Sequence, residues 1–143
     1  MESPAMKKRV LLIDDEARVR TSLKMVLEPN YEILQAADAQ EGLDTFRKEG
    51  PDLVLLDVIL PGTDGLAVLE TLRSESRMTP VIMLPGTKSV KTAVAAMKLG
   101  AADYLSKPFD VEELRIVVDR ALSSQALERE VKQLRAQVVQ RYA

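Results

Sequence analysis

The stretch LVLLDVILPGTDG, residues 53–65, sets four apolar residues directly before Asp57, three more after it, and then Pro61-Gly62 and Asp64-Gly65 in quick succession. Apolar residues at every position, not at alternate ones, predict a strand buried on both faces. An aspartate at the end of such a strand costs free energy unless something compensates its charge. The two glycine-containing pairs read as turns that return the chain from the strand end.

Outward from this strand one pattern repeats. RVLLID (9–14) precedes a helical phase with Val19, Leu23, Val26 and Leu27 on one face, and YEILQA (31–36) precedes one carrying Leu43 and Phe46. Residues 53–57 lead to Leu66, Leu69 and Leu72, and VIML (81–84) leads to Val90, Ala93, Val94 and Met97 before a breaker at Gly100. DYLS (103–106) is followed by Asp110 and Glu113, a capping box ahead of Leu114 and Val117. Five strand-then-helix units predict an α/β protein with a doubly wound, five-stranded parallel sheet and helices on both faces. From Gln125 onward, Leu127, Val131, Leu134 and Val138 recur at steps of four and three, a coiled-coil phase. It predicts an extended C-terminal helix that pairs with a second copy. The other reading is a solvated tail with chance spacing, since about two heptads make a marginal helix in isolation.

Composition narrows the chemistry. The 143 residues suit one core and a tail, and 46% hydrophobic with 29% charged residues is an ordinary globular balance. With no cysteine and no histidine, thiol chemistry, histidine catalysis and most zinc sites are excluded. A net charge of -2, scattered Lys and Arg, and 3% aromatic residues argue against direct nucleic-acid binding. The apolar runs are too short for a membrane span, and MESPAMKKR lacks the apolar stretch of a secretory signal, so the expected location is cytoplasmic.

In open α/β sheets functional groups gather beyond the carboxyl ends of the strands, where strand order reverses. With the order 2-1-3-4-5, Asp14 and Asp15 at the end of strand one share that crevice with Asp57 at the end of strand three. At about 4 Å and an effective dielectric near 20, each like-charged pair costs roughly 4 kcal/mol, so the acids protonate or bind a cation. Oxygen ligands alone favour magnesium, manganese or calcium, and magnesium commonly completes its shell with phosphate oxygens. Lys107 lies two strand spacings from strand three, roughly 10 Å, within reach for its long side chain to balance the acids. Asp57 would then serve as a carboxylate nucleophile toward phosphorus. Taken singly, each residue has a structural reading: Asp14 and Asp15 as helix caps, Asp57 as an acceptor for loop amides, Lys107 as a solvated charge.

IDDE (13–16), LLDVILPGTDG (55–65) and GAADYLSKPF (100–109) together resemble the receiver domains of two-component response regulators, over about residues 7–123. The resemblance implies a flavodoxin-like fold and a phosphoacceptor, Asp57, that takes its phosphoryl group from a sensor histidine kinase. It implies Mg2+ held by Asp14, Asp15, Asp57 and the backbone carbonyl of Ile59, with Lys107 as the pocket lysine and a cis bond before Pro108. A receiver modifies itself and is not an enzyme acting on other substrates. Residues 93–114, AVAAMKLGAADYLSKPFDVEEL, are most similar to receivers of sigma-54-dependent transcription activators of the nitrogen-regulation type. Those carry an ATPase and a DNA-binding domain downstream, and no Gly-x-x-x-x-Gly-Lys-Ser/Thr loop occurs in this chain. Residues 124–143 are then a helical linker toward a missing domain, through which the receiver dimerises.

One position departs from the family pattern. Counting back twenty-two residues from Lys107, where receivers carry a threonine or serine, lands on Pro85. Proline has no hydroxyl and no amide proton, so the strand must be ending there. The family's switch pairs that hydroxyl with a strand-five aromatic, here Tyr104, and Thr87 is the nearest replacement hydroxyl. An alternative is therefore a phosphorylation-independent or altered-switch dimerisation module. A haloacid-dehalogenase-like phosphatase also uses an aspartate nucleophile with magnesium, but it requires a second aspartate where Ile59 stands.

Overall fold

The computed structural model describes residues 7–85 and 90–142. In chain order these form β1 (Lys8–Ile13), α1 (Ala17–Leu27), β2 (Tyr31–Ala36), α2 (Ala39–Glu49) and β3 (Leu53–Asp57). A small hairpin of β4 (Ile59–Leu60) and β5 (Thr63–Asp64) precedes α3 (Gly65–Glu75), β6 (Val81–Leu84), α4 (Val90–Lys98), β7 (Asp103–Tyr104) and α5 (Val111–Tyr142). The main sheet is parallel and ordered β2-β1-β3-β6-β7. This is the expected order once the hairpin, a separate two-stranded sheet that the sequence reading did not foresee, is set aside.

The continuous apolar runs are explained by a core on each side of the sheet. Val10, Leu12, Leu53 and Leu55 point to one face, where Leu23 and Leu27 of α1 and Leu114 and Val118 of α5 cover them. Leu11, Ile13, Val54 and Leu56 point to the other, beneath Phe46 of α2, Leu69 and Leu72 of α3, and Ala96 of α4. A central strand sandwiched this way has no polar face, and its functional group can reach water only at its end.

Three local expectations change. β1 stops at Ile13, one residue short, and β7 is only two residues long, with Met83 and Tyr104 its last parallel pair. Pro61-Gly62 is the hairpin turn, with Gly62 at φ +68°, but Asp64-Gly65 is not a second turn. Asp64 is the N-cap of α3, accepting the Leu66 amide at 3.0 Å, and Gly65 is the first helical residue. In α4 the apolar face does not pack inward. Val90, Val94 and Met97 are exposed at 80%, 46% and 49%, and the fully buried residue is Ala96. A small side chain lets the helix lie close to its neighbours, and this contact wins over the larger residues.

The long helix α5 runs unbroken through the expected boundary at residue 123. Its last buried residue among those described is Gln125, 3% exposed, whose amide donates to the carbonyls of Asp52 and Met78 at 3.3 Å each. Beyond it Leu127, Val131, Leu134 and Val138 are all exposed.

Gly65 shows how tightly α3 is set against the end of β3. A Cβ there would lie 2.4 Å from the Val58 carbonyl oxygen and 2.5 Å from that of Asp57, both backbone atoms that have nowhere to go. Gly65→Ala is therefore expected to cost about 2 kcal/mol or more in urea unfolding, with shifted amide resonances at Asp57 and Val58. Unchanged stability and unchanged resonances would contradict this packing.

Candidate phosphoacceptor site

Asp14 sits one residue past β1, where its amide still donates to the Ala36 carbonyl at 3.1 Å. Its carboxylate is 1% exposed and divided between two partners: Oδ1 accepts the Glu16 amide at 2.9 Å and Oδ2 accepts Lys107 Nζ at 2.7 Å. Asp57, 4% exposed at the end of β3, accepts the Ile59 amide on Oδ1 at 3.2 Å, and its Oδ2 lies 3.4 Å from the same ammonium. Lys107 reaches back from the segment after β7, as the strand spacing suggested, and bridges both acids. Its own amide donates to the Pro85 carbonyl at 3.0 Å, and the bond to Pro108 is cis.

Of the residues expected here, Asp14, Asp57 and Lys107 are in direct contact, and Ile59 touches Asp57 through its amide. Asp15 is exposed beside Asp14, and Asp14, Asp15 and Glu16 offer carboxylate oxygens within 4.8 Å of one another. Glu16 was not singled out from sequence, although it completes the IDDE run. Three hard oxygen donors, two of them exposed and without side-chain partners among the described residues, suit a divalent cation of the magnesium type. Pro85 is buried just past β6, so the ladder ends where the missing amide requires. Tyr104 is half-buried on β7 against the α2–α3–α4 side of the core, and Thr87 lies outside the described residues.

A second feature escaped the sequence reading. Arg20 of α1 donates from Nη1 to the Asp14 carbonyl at 2.6 Å and from Nε to Gln35 Oε1 at 3.2 Å, tying the acidic loop to α1 and β2. Its one clue was a cation one turn into the helix after the acid pair.

The electrostatics are unbalanced. Burial, and then the charge of Asp14, push the Asp57 carboxyl above the ordinary aspartate value, against the opposing effects of the Ile59 amide and Lys107. For Lys107 burial is the largest single influence and acts downward. The bond to Asp14 and the charges of Asp14 and Asp57 together outweigh it, so the ammonium is held more firmly than an ordinary lysine. The crevice thus carries an acid that is incompletely compensated.

A family model described as "Response regulator receiver domain" matches residues 10–119. The chain belongs to that family: it is a receiver domain of a two-component response regulator. Regulatory protein AtoC of Escherichia coli (strain K12) is 39% identical over 127 residues, covering 88% of this chain and 28% of that protein. NtrX of Brucella abortus, solved in complex with ADP, is similar with a TM-score of 0.86 at 36% identity, covering 90% of this chain and 30% of that one. A CheY-like receiver domain protein from Methanospirillum hungatei JF-1 gives 0.82 at 32% identity, covering 85% of this chain and 98% of that one. The resemblance to nitrogen-regulation receivers is thereby met, and the chain spans less than a third of the length of AtoC and NtrX. Neither the geometry nor the comparisons favour the phosphorylation-independent or altered-switch alternative.

Because the folded-state value of Asp57 is raised above the unfolded one, its contribution to stability is fully present below the ordinary aspartate range and lost as pH rises through the raised value. Asp57→Asn is accordingly expected to raise stability at pH 7 by an amount on the order of 1 kcal/mol, the gain shrinking as pH falls into the carboxylate range. Lys107→Met is expected to do the opposite, costing about 2 kcal/mol or more because two buried carboxylates lose their shared cation. Urea melts across pH check both. A destabilised Asp57→Asn or a neutral Lys107→Met would contradict the reading.

Proposed function

We propose that the protein is the phosphoacceptor domain of a cytoplasmic transcription activator of the sigma-54-dependent type, phosphorylated on Asp57 by a sensor histidine kinase. The observation that carries this is the single Lys107 ammonium bridging Asp14 and Asp57 at 2.7 and 3.4 Å. Such a crevice, with one ammonium for two acids, is short of positive charge at rest and can accept a phosphoryl group together with a divalent cation.

In this reading Asp57 Oδ2 attacks the phosphorus of a phosphohistidine. The P–N bond breaks, its electron pair returns to the imidazole nitrogen, and Asp57 becomes an acyl phosphate. Lys107 follows the charge to a phosphoryl oxygen as a point cation, and the Ile59 amide remains a donor at the same place. Asp14, Asp15, Asp57 and the Ile59 carbonyl are the ligands we assign to Mg2+, which when bound supplies positive charge to the phosphoryl oxygens. The kinase approaches over an apolar cavity of about 530 Å³ beside Lys107, lined by Arg18, Val19, Pro108 and Phe109 among others. Pro85, Thr87 and Tyr104 are the positions at which this domain would pass its state onward.

The output we assign is homodimerisation through α5 beyond Gln125, with residues 7–123 as the receiver and 124–143 as the linker. Val131 and Val138 fall at a, and Leu127 and Leu134 at d, a combination that favours two parallel strands. Glu130 at g then meets Arg135 at the next e of the partner helix. Downstream ATPase and DNA-binding domains would make the promoter contacts, with no direct nucleic-acid role for this chain. Among the described residues no helix is long and apolar enough to cross a membrane.

Exposure to a small-molecule phosphoryl donor with Mg2+, read by intact mass, is expected to add one phosphoryl group to the parent and none to Asp57→Asn. An unmodified parent, or an equally modified variant, would overturn the assignment. For the dimer, Leu134→Asp is expected to weaken self-association in sedimentation experiments by about tenfold or more. Unchanged association would exclude α5 as the interface.

A further inference from the structure

At the end of the sheet opposite the acidic crevice, where α3 and α4 finish and β6 and β7 begin, cations converge from separate elements. Arg73 lies in the last turn of α3, Arg77 just beyond it, Lys98 in the last turn of α4, and Arg120 on α5. They line two adjoining cavities of about 380 and 290 Å³ whose walls share Arg73, Arg77 and Gly100. The smaller adds Lys98 and has no carboxylate in its wall. The larger continues to Arg120, Ser124 and Gln125, with Asp103 and Glu128 at its edge.

These charges are unevenly spent. Arg120 pairs with Asp103 at 2.5 Å, and Arg73 uses Nη1 on the Thr79 carbonyl at 3.0 Å, leaving its other donors available. Among the described residues neither the Arg77 nor the Lys98 side chain has an ion-pair or hydrogen-bond partner. Gly100, at φ +99°, keeps the chain bare beneath Arg73, since a Cβ there would come within 3.1 Å of Nε. The negative ends of α3 and α4 account for one last-turn cation each, Arg73 and Lys98. They do not account for Arg77, which lies past its helix, or for the concave shape. In a chain of net charge -2, Arg73, Arg77 and Lys98 gathered around the smaller cavity, whose wall has no carboxylate, call for an external anion.

We infer that this cleft binds a small phosphate-bearing anion between Arg73, Arg77 and Lys98. The planar donor forks of two arginines suit phosphate oxygens, and each cavity is near the lower size limit of small-ligand sites. A ligand there would sit between the ends of α3 and α4, beside the larger cavity that reaches Gln125, on the side of the molecule remote from Asp57. The inference does not depend on the phosphoacceptor reading.

The test is titration of inorganic pyrophosphate into the ¹⁵N-labelled Asp57→Asn chain without Mg2+, at about 0.15 M salt, which keeps the acidic crevice out of play and screens diffuse attraction. Saturable shifts at the Arg77, Leu99 and Gly100 amides are expected. Arg77→Ala and Lys98→Ala, both at exposed positions, are expected each to weaken binding by about tenfold, while Lys24→Ala on α1 leaves it unchanged. No saturable binding, shifts confined elsewhere, or equal losses from all three variants would overturn the proposal.

Discussion

The Lys107 ammonium between the carboxylates of Asp14 and Asp57 is the contact on which this end of the sheet depends. Two acids, 1% and 4% exposed, stand at the ends of adjacent strands and repel each other through a medium that screens poorly. Each accepts one backbone amide, and a cation from a third element is the side chain that bridges them. That cation comes from beyond β7, two strands away from β3, so the arrangement requires the order β2-β1-β3-β6-β7 and no other neighbour for β3. The packing behind it serves the same end. Apolar layers on both faces leave Asp57 no route to water except at the strand terminus, and Gly65 lets α3 start against the carbonyls of Asp57 and Val58.

Compensation is incomplete, and that has functional weight. One ammonium serves two acids, and Asp57 is left with a raised proton affinity. The resting crevice is thus short of positive charge. Filling that shortfall with a hard divalent cation is what the oxygen-only donor set favours.

Much of this was legible in the sequence, for identifiable reasons. Strands buried on both faces leave unbroken apolar runs, so residues 53–57 and 81–84 were readable to the residue. Asp14, Asp57 and Lys107 were readable because strand ends of a parallel sheet must share one edge. The β4–β5 hairpin was not, since two-residue strands carry no periodicity, and Asp64-Gly65 has the composition of a turn while acting as a helix start. The helical pattern through Val90, Ala93, Val94 and Met97 did not mark the buried face of α4, whereas Ala96 packs in and Val90, Val94 and Met97 stay out. Arg20 and Gln125 were missed for a common reason: each is anchored on backbone carbonyls, of Asp14 for the one and of Asp52 and Met78 for the other, and a carbonyl has no signature in a sequence.

The most direct measurement is the titration of the Asp57 side-chain carboxyl by ¹³C NMR in the parent and in Lys107→Ala, without divalent cations. A desolvated acid sharing one ammonium with Asp14 titrates above an exposed aspartate, and loss of that ammonium moves it higher still. An Asp57 that titrated like an exposed aspartate in both proteins would contradict the shared cation, and with it the geometry from which the function is argued.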